Sequence, residues 1–331
     1  MPTKRFRNKR IGDDRMRMIE QAQEILSEYD TKLTARQLYY QFVARDLIPN
    51  TPRSYQNLTT LITDARYAGL IDWDAIEDRG REPSIPLQFE NLRERVDSAL
   101  ANYRLPRWED QPYYAELWVE KQALAGVLAP LARDYHVPLM VNKGYSSASA
   151  MYESAMRIRA ATGFAGDWWP DFEERINNDE ELQINDSGSP EYERVMDRYR
   201  KEIVTETKES FIFYLGDHDP SGEDMVRDIS DRLKEFGVMR LQVRKLALTM
   251  QQIRRFNPPP NPAKLTDSRA KEYIKKFGNE SWEVDALPPR ELTRIIREAF
   301  VSVIDREKMN DVIDRENRDK ETLRQLLEGV E

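Results

Sequence analysis

The chain has 331 residues, long enough for two or three domains with real hydrophobic cores. It is 40% apolar and 33% charged, and no apolar run approaches the roughly 18 residues of a membrane span, which excludes a helical membrane protein. The absence of cysteine and the presence of only 2 histidines exclude disulfides, thiolate metal centres and cysteine nucleophiles, and leave little from which to build a zinc site. The opening MPTKRFRNKR leads into no apolar stretch, so no secretory signal and a cytoplasmic location are expected. A net charge of −8 speaks against a protein that coats nucleic acid, but the charge is uneven. Residues 1–66 hold 12 Lys/Arg against 8 Asp/Glu, whereas 167–193 hold ten acids and one arginine. That acidic run reads as an inserted, solvated surface of loop and short helices.

In chain order, residues 11–29 place Ile11, Met16, Ile19, Ala22, Ile25 and Leu26 at helical spacing. A second helix begins at Thr34, a suitable N-cap, and carries Leu38, Phe42 and Val43 on one side. A third, about 53–67, ends near Gly69 and presents Arg53, Tyr55, Asn57, Thr60 and Arg66; a short strand-like tail follows. Three helices and such a tail outline either a winged helix-turn-helix, whose later helix meets a DNA groove, or a small bundle that only packs. Residues 84–106 are expected to form a polar linker helix. Strand-like runs at 115–119, 137–142, 210–216 and 241–248 then alternate with helical segments, which predicts a parallel sheet covered on both faces. Past the Pro-rich 257–262, further helices are expected, with Trp282, Val284 and Leu287 packing on the sheet domain.

The chemistry gathers at the carboxyl ends of the strands, where open α/β sheets bind ligands. One strand ends in Val119-Glu120-Lys121 and another in Gly216-Asp217-His218-Asp219-Pro220-Ser221-Gly222. Residues i and i+2 of an extended chain point the same way, so Asp217 and Asp219 can project together and, with Glu120, offer hard oxygen ligands suited to Mg²⁺. An acid at a strand end followed by a helix is equally an ordinary helix cap.

Together, the strand-terminal Glu120, the Lys143-Gly144 loop and the DxD followed by Pro-Ser-Gly resemble the Toprim domain of topoisomerases, primases and related nucleases. The runs WVEKQAL, VNKGYSSAS and YLGDHDPSGEDM look most like the topoisomerase VI A subunit and its meiotic relative that makes double-strand breaks. The stretch Thr34-Ala35-Arg36-Gln37-Leu38-Tyr39-Tyr40 resembles the part of that family that carries its nucleophilic tyrosine, which assigns the role to Tyr40. The resemblance implies an α/β plus helical protein: a basic arm and helix (1–29), a winged-helix domain (30–83), a helical linker (84–110), a Toprim domain with a Rossmann-like parallel sheet (111–255) and an acidic insertion (161–205), and a helical C-terminal extension (256–331). It further implies Mg²⁺ on Glu120, Asp217 and Asp219, with Glu120 also in the catalytic set, and DNA contacts from Arg53, Tyr55, Arg66, Lys121 and Lys143. The implied partners are double-stranded DNA, a second copy whose metal meets this chain's tyrosine, and a separate ATPase subunit, since no ATP-binding Gly-rich motif is present.

A phenol is a poor nucleophile near neutral pH, with an unperturbed pKa of about 10, so it needs a neighbouring cation or base. Arg36, four residues before Tyr40 on the same helical face, is placed to supply one. Adjacent tyrosines on an amphipathic helix are also common packing residues. Three functions therefore stand: a Mg²⁺-dependent tyrosine transesterase, a metal-dependent nuclease that uses water, and a non-catalytic winged-helix DNA-binding protein.

Overall fold

The computed structural model describes residues 6, 11–29, 32–77, 86–142, 144–163, 174–263 and 269–328. Helices α1 (Asp13–Ser27), α2 (Ala35–Ala44) and α3 (Pro52–Tyr67) close on a core that includes Ile19, Ile25, Leu38, Phe42, Leu58 and Leu61. Tyr39 and Tyr40 belong to that core. A short strand β1 (Leu33–Thr34) pairs in parallel with β2 (Ile76–Glu77) beyond α3. Thr34 ends β1 and starts α2 with a capping box: its Oγ1 accepts from Gln37 N at 3.0 Å, and Gln37 Oε1 accepts from Thr34 N at 2.9 Å. The box fixes the first turn of α2 and hence the direction of Arg36.

The linker helix α4 (Leu92–Asn102) is shorter than the 84–106 expected. Asn91 caps it by accepting from Glu94 N at 2.9 Å, while residues 86–89 are irregular.

The rest is built on one parallel sheet. Its elements run β3 (Tyr113–Val119), α5 (Gln122–Asp134), β4 (Leu139–Val141), α6 (Ala148–Thr162), α7 (Glu180–Ile184), α8 (Pro190–Glu206), β5 (Glu209–Leu215), α9 (Pro220–Glu235) and β6 (Leu241–Ala247). The acidic insertion thus holds helices joined by short turns where described, and α8 buries Val195 and Tyr199. After it come α10 (Met250–Phe256), β7 (Asn261–Pro262), α11 (Ala270–Phe277), β8 (Glu280–Ser281), α12 (Pro289–Val301) and α13 (Arg306–Glu328).

The strand order is β4-β3-β5-β6, all parallel, with Glu116 opposite Ile212 and Leu117 opposite Phe213. Alternate residues face opposite ways, and the contacts show both faces covered. Glu116 meets Arg157 of α6, whereas Phe213 of the other parity meets Phe300 of α12. Glu116 is fully buried in mid-strand and is tolerated there because Tyr114, Trp118 and Arg157 all donate to it at 2.8–2.9 Å. The chain leaves β3 for β4 on one side and later returns to β5 on the other, so the order reverses between β3 and β5. The carboxyl ends flanking that crevice are where such sheets bind ligands.

Residues 280–287 lie between the two cores. Trp282 and His218 exchange backbone hydrogen bonds of 3.0 and 2.8 Å. Val284 and Leu287 join the core of the sheet, as expected for Trp282, Val284 and Leu287, and Ala286 joins the core of α1–α3.

Candidate active site

Strand β3 delivers Glu120 and Lys121 to the crevice, and β5 delivers Asp217 and Asp219, as the sequence leads one to expect. Each carboxylate is anchored by one oxygen. Glu120 Oε2 accepts from Asp217 N at 3.0 Å and Tyr214 Oη at 3.3 Å. Asp219 Oδ1 accepts from Gly222 N at 2.7 Å and Ser221 Oγ at 2.9 Å, so Asp219 does cap α9. Asp217 Oδ1 accepts from Val284 N at 2.9 Å and lies 3.0 Å from Lys121 Nζ. Glycine is required at 222: a Cβ there would stand 2.1 Å from the Asp217 carbonyl oxygen. Lys245 of β6 secures the same loop, donating to Asp217 O at 2.8 Å and Glu223 Oε1 at 2.6 Å.

Two further acids come from the C-terminal extension. Glu283 Oε2 and Asp285 Oδ2 lie 2.8 and 2.9 Å from Lys121 Nζ, so this ammonium sits among three carboxylates. Burial pushes the Lys121 ammonium toward the neutral form, but Asp285, Asp217 and Glu283 outweigh it and hold the group charged. Burial drives the Asp217 carboxyl well above the ordinary carboxylate range; Lys121 opposes the shift and Glu120 adds to it. Asp285 is 2% exposed, and its Oδ1 is buried with no hydrogen-bond partner among the described residues. The cluster therefore holds more negative charge than its own cations balance.

Helix α2 reaches the same place. Arg36 Nη1 donates to both oxygens of Glu283 at 2.8 Å, and its guanidinium lies over the Tyr55 ring at 4.8 Å. Burial opposes the charge on Arg36, but Glu283, with Tyr40 and Tyr55, together outweighs it and keeps the guanidinium charged. Tyr40 is 2% exposed, and its Oη accepts from Asn261 Nδ2 at 3.2 Å. Burial first and Glu283 second push its phenol up to about 12, against the pull of Asn261, Arg36 and Lys121. Tyr39 turns away, donating to Asn50 Oδ1 at 2.8 Å. Arg36, Tyr40, Glu120, Lys121, Asp217 and Asp219 thus belong to one polar region of one chain.

Of the other expected contacts among the described residues, only Tyr55 adjoins it. Arg53 is exposed on α3. Arg66 folds over the Trp73 ring at 4.4 Å, and Tyr55 packs edge-on against Tyr39 at 5.3 Å beneath Arg36. Lys143 lies outside the described residues. Sequence reasoning missed Glu283, Asp285, Asn261 and Lys245. A local signal existed for the first two, since Trp282-Glu283-Val284-Asp285 alternates apolar and acidic, although the chain enters a 3₁₀ turn over Val284–Ala286 rather than running on extended.

Glu120, Asp217 and Asp219 suit Mg²⁺ in donor type, all being carboxylate oxygens, and Glu120 Oε1 and Asp219 Oδ2 take no hydrogen bond among the described residues. No group of three or more Asp, Glu or His side chains stands ready-formed around an ion position among the described residues. The physical reason is visible: Lys121 occupies the space beside Asp217, and Asp219 is turned to its helix. No helix among the described residues is long and apolar enough to cross a membrane. No protein-family model, curated protein or solved structure matches the chain.

Proposed function

We propose that this protein is a Mg²⁺-dependent DNA transesterase of the topoisomerase VI A type, in which the α1–α3 unit serves as a winged helix and the parallel sheet as a Toprim domain. The observation that carries the reading is the shared carboxylate of Glu283, which bonds Arg36 beside Tyr40 and Lys121 beside Asp217. A phosphodiester lying there meets a phenol, two fixed cations and a set of carboxylates, the parts that phosphoryl transfer needs. Mg²⁺ held by Glu120, Asp217 and Asp219 would supply stabilisation of charge on the phosphate and the departing oxygen.

Tyr40 Oη attacks phosphorus, the P–O bond to the 3′-oxygen breaks, and the products are a 5′-phosphotyrosyl bond and a free 3′-hydroxyl. Reversal reseals the strand, because the new ester conserves the energy of the old one. Asn261 orients the phenol, and Arg36 stabilises its anion and the attacked phosphate. Cutting both strands takes a homodimer in which each chain joins its own tyrosine to its own acids, unlike the exchange between copies that the resemblance implies, and strand passage takes a separate ATPase.

A second reading, a nuclease in which water attacks, is favoured by the burial of Tyr40 and by its phenol at about 12. The two separate on labelled supercoiled DNA incubated with Mg²⁺ and stopped with detergent. The transesterase leaves protein-linked ends that vanish in Tyr40→Phe and persist in Tyr39→Phe. Free ends that survive Tyr40→Phe and vanish in Asp217→Ala establish the nuclease. DNA binding with no cleavage under any condition refutes both and leaves a non-catalytic DNA-binding protein.

A further inference from the structure

Glu283 is placed unlike the other acids of the cluster. Asp217 is fixed by a backbone N–H, and Asp285 is buried beneath Lys121. The hydrogen bonds of the Glu283 carboxylate come instead from two long cationic side chains, Arg36 through both oxygens and Lys121 through Oε2. Its side chain is 24% exposed, and those of Arg36 and Lys121 are 39% and 22% exposed, so this triad opens to solvent where Asp285 does not. An anionic group held by a guanidinium at two oxygens and by an ammonium at one is also how a phosphate is held.

We propose that Arg36 and Lys121 form a phosphodiester-binding subsite and that Glu283 fills it as an internal phosphate mimic until substrate displaces it. The inference rests on the transesterase reading for its substrate, but the subsite itself is defined by chemistry that any phosphate can report. Lys121 keeps Asp217 and Asp285 as counter-charges when Glu283 leaves, so the exchange does not strand a buried cation. Departure of Glu283 also removes a negative neighbour of Tyr40, while Arg36, which already faces the phenol, stays beside it paired to the phosphate. Occupancy by substrate and activation of the nucleophile are in this way one event.

The test uses inorganic phosphate, followed by phosphorus NMR line broadening, and a short fluorescein-labelled duplex, followed by anisotropy, both in EDTA. Glu283→Gln keeps the shape and removes the charge, and is expected to bind each probe about five- to tenfold more tightly than wild type. Adding Arg36→Gln should abolish the gain. Glu283→Ala serves as a second variant, and circular dichroism with thermal melting confirms that each is folded. Phosphate binding no tighter in either folded Glu283 variant overturns the proposal, as does a gain that survives Arg36→Gln, which marks a bulk charge effect. A gain for phosphate without one for duplex supports the subsite and sinks the DNA reading alone.

Discussion

Glu316, in the middle of α13, offers a sharp test of the electrostatics. Its side chain is 2% exposed and receives Lys320 Nζ at 2.7 Å, Arg107 Nη2 at 3.1 Å and Leu105 N at 3.1 Å. Burial alone would raise its pKa, but Lys320, Arg107 and the Leu105 amide outweigh it and hold the carboxyl at about 2 against an ordinary 4.5. A native pKa below the unfolded one means the stabilisation is complete above pH 4.5 and is lost as the pH falls toward 2. At about 1.4 kcal/mol per pKa unit, it amounts to about 3 kcal/mol at pH 7 and roughly 1.4 kcal/mol at pH 3. Glu316→Gln should cost about that much at neutral pH, in line with other broken buried pairs. Urea unfolding of wild type and variant at pH 7, 5, 4 and 3 reads the gap directly. A gap below about 1 kcal/mol at pH 7, or one that does not narrow in acid, refutes the reasoning.

Two further outcomes concern the site. Lys121→Met leaves Asp217, Glu283 and Asp285 without their shared cation and should cost about 3–5 kcal/mol at pH 8. Asp217 and Glu283 lose the pull of Lys121 that lowers their pKa, so the deficit should shrink by pH 5; urea unfolding at both pH values checks the size and the sign. Gly222→Ala puts a methyl group against the Asp217 carbonyl, and is expected to lower stability by roughly 1–3 kcal/mol and to abolish DNA cleavage, read by calorimetry and by the supercoiled-DNA assay.

The features legible in the sequence are those set by short-range pattern. The four strands of the parallel sheet announce themselves as apolar runs between helical segments, and Glu120, Asp217 and Asp219 are found because a strand end is a place one can count to. Thr34 is recognisable as a cap because capping is decided within three residues. What stayed hidden depends on distant partners. That Arg36 lies over the Tyr55 ring, and Arg66 over the Trp73 ring, could not be read from residues that far apart in kind and position. The alternation at 282–285 says that two acids share a side, but not that Lys121, more than 160 residues earlier, is what they face. Asp219 carries both local meanings, a helix cap and a strand-end carboxylate, and the structure shows the first, with Oδ1 accepting from Gly222 N and Ser221 Oγ.

The path of residues 280–287 between the two cores has a bearing on synthesis and folding. Arg36 and Glu283 are 247 positions apart, and Lys121 and Glu283 are 162 apart, so the contacts that complete the cluster are among the last the growing chain can make. Until that segment emerges, Asp217 lacks the Val284 amide, Lys121 lacks two of its three counter-charges, and Arg36 has no carboxylate to hold it beside Tyr40. A ribosome-bound or prematurely stopped chain carries the tyrosine and the strand-end acids but not the arrangement that joins them. For a protein proposed to cut DNA, cleaving capacity would be withheld from every copy that stops short of that segment.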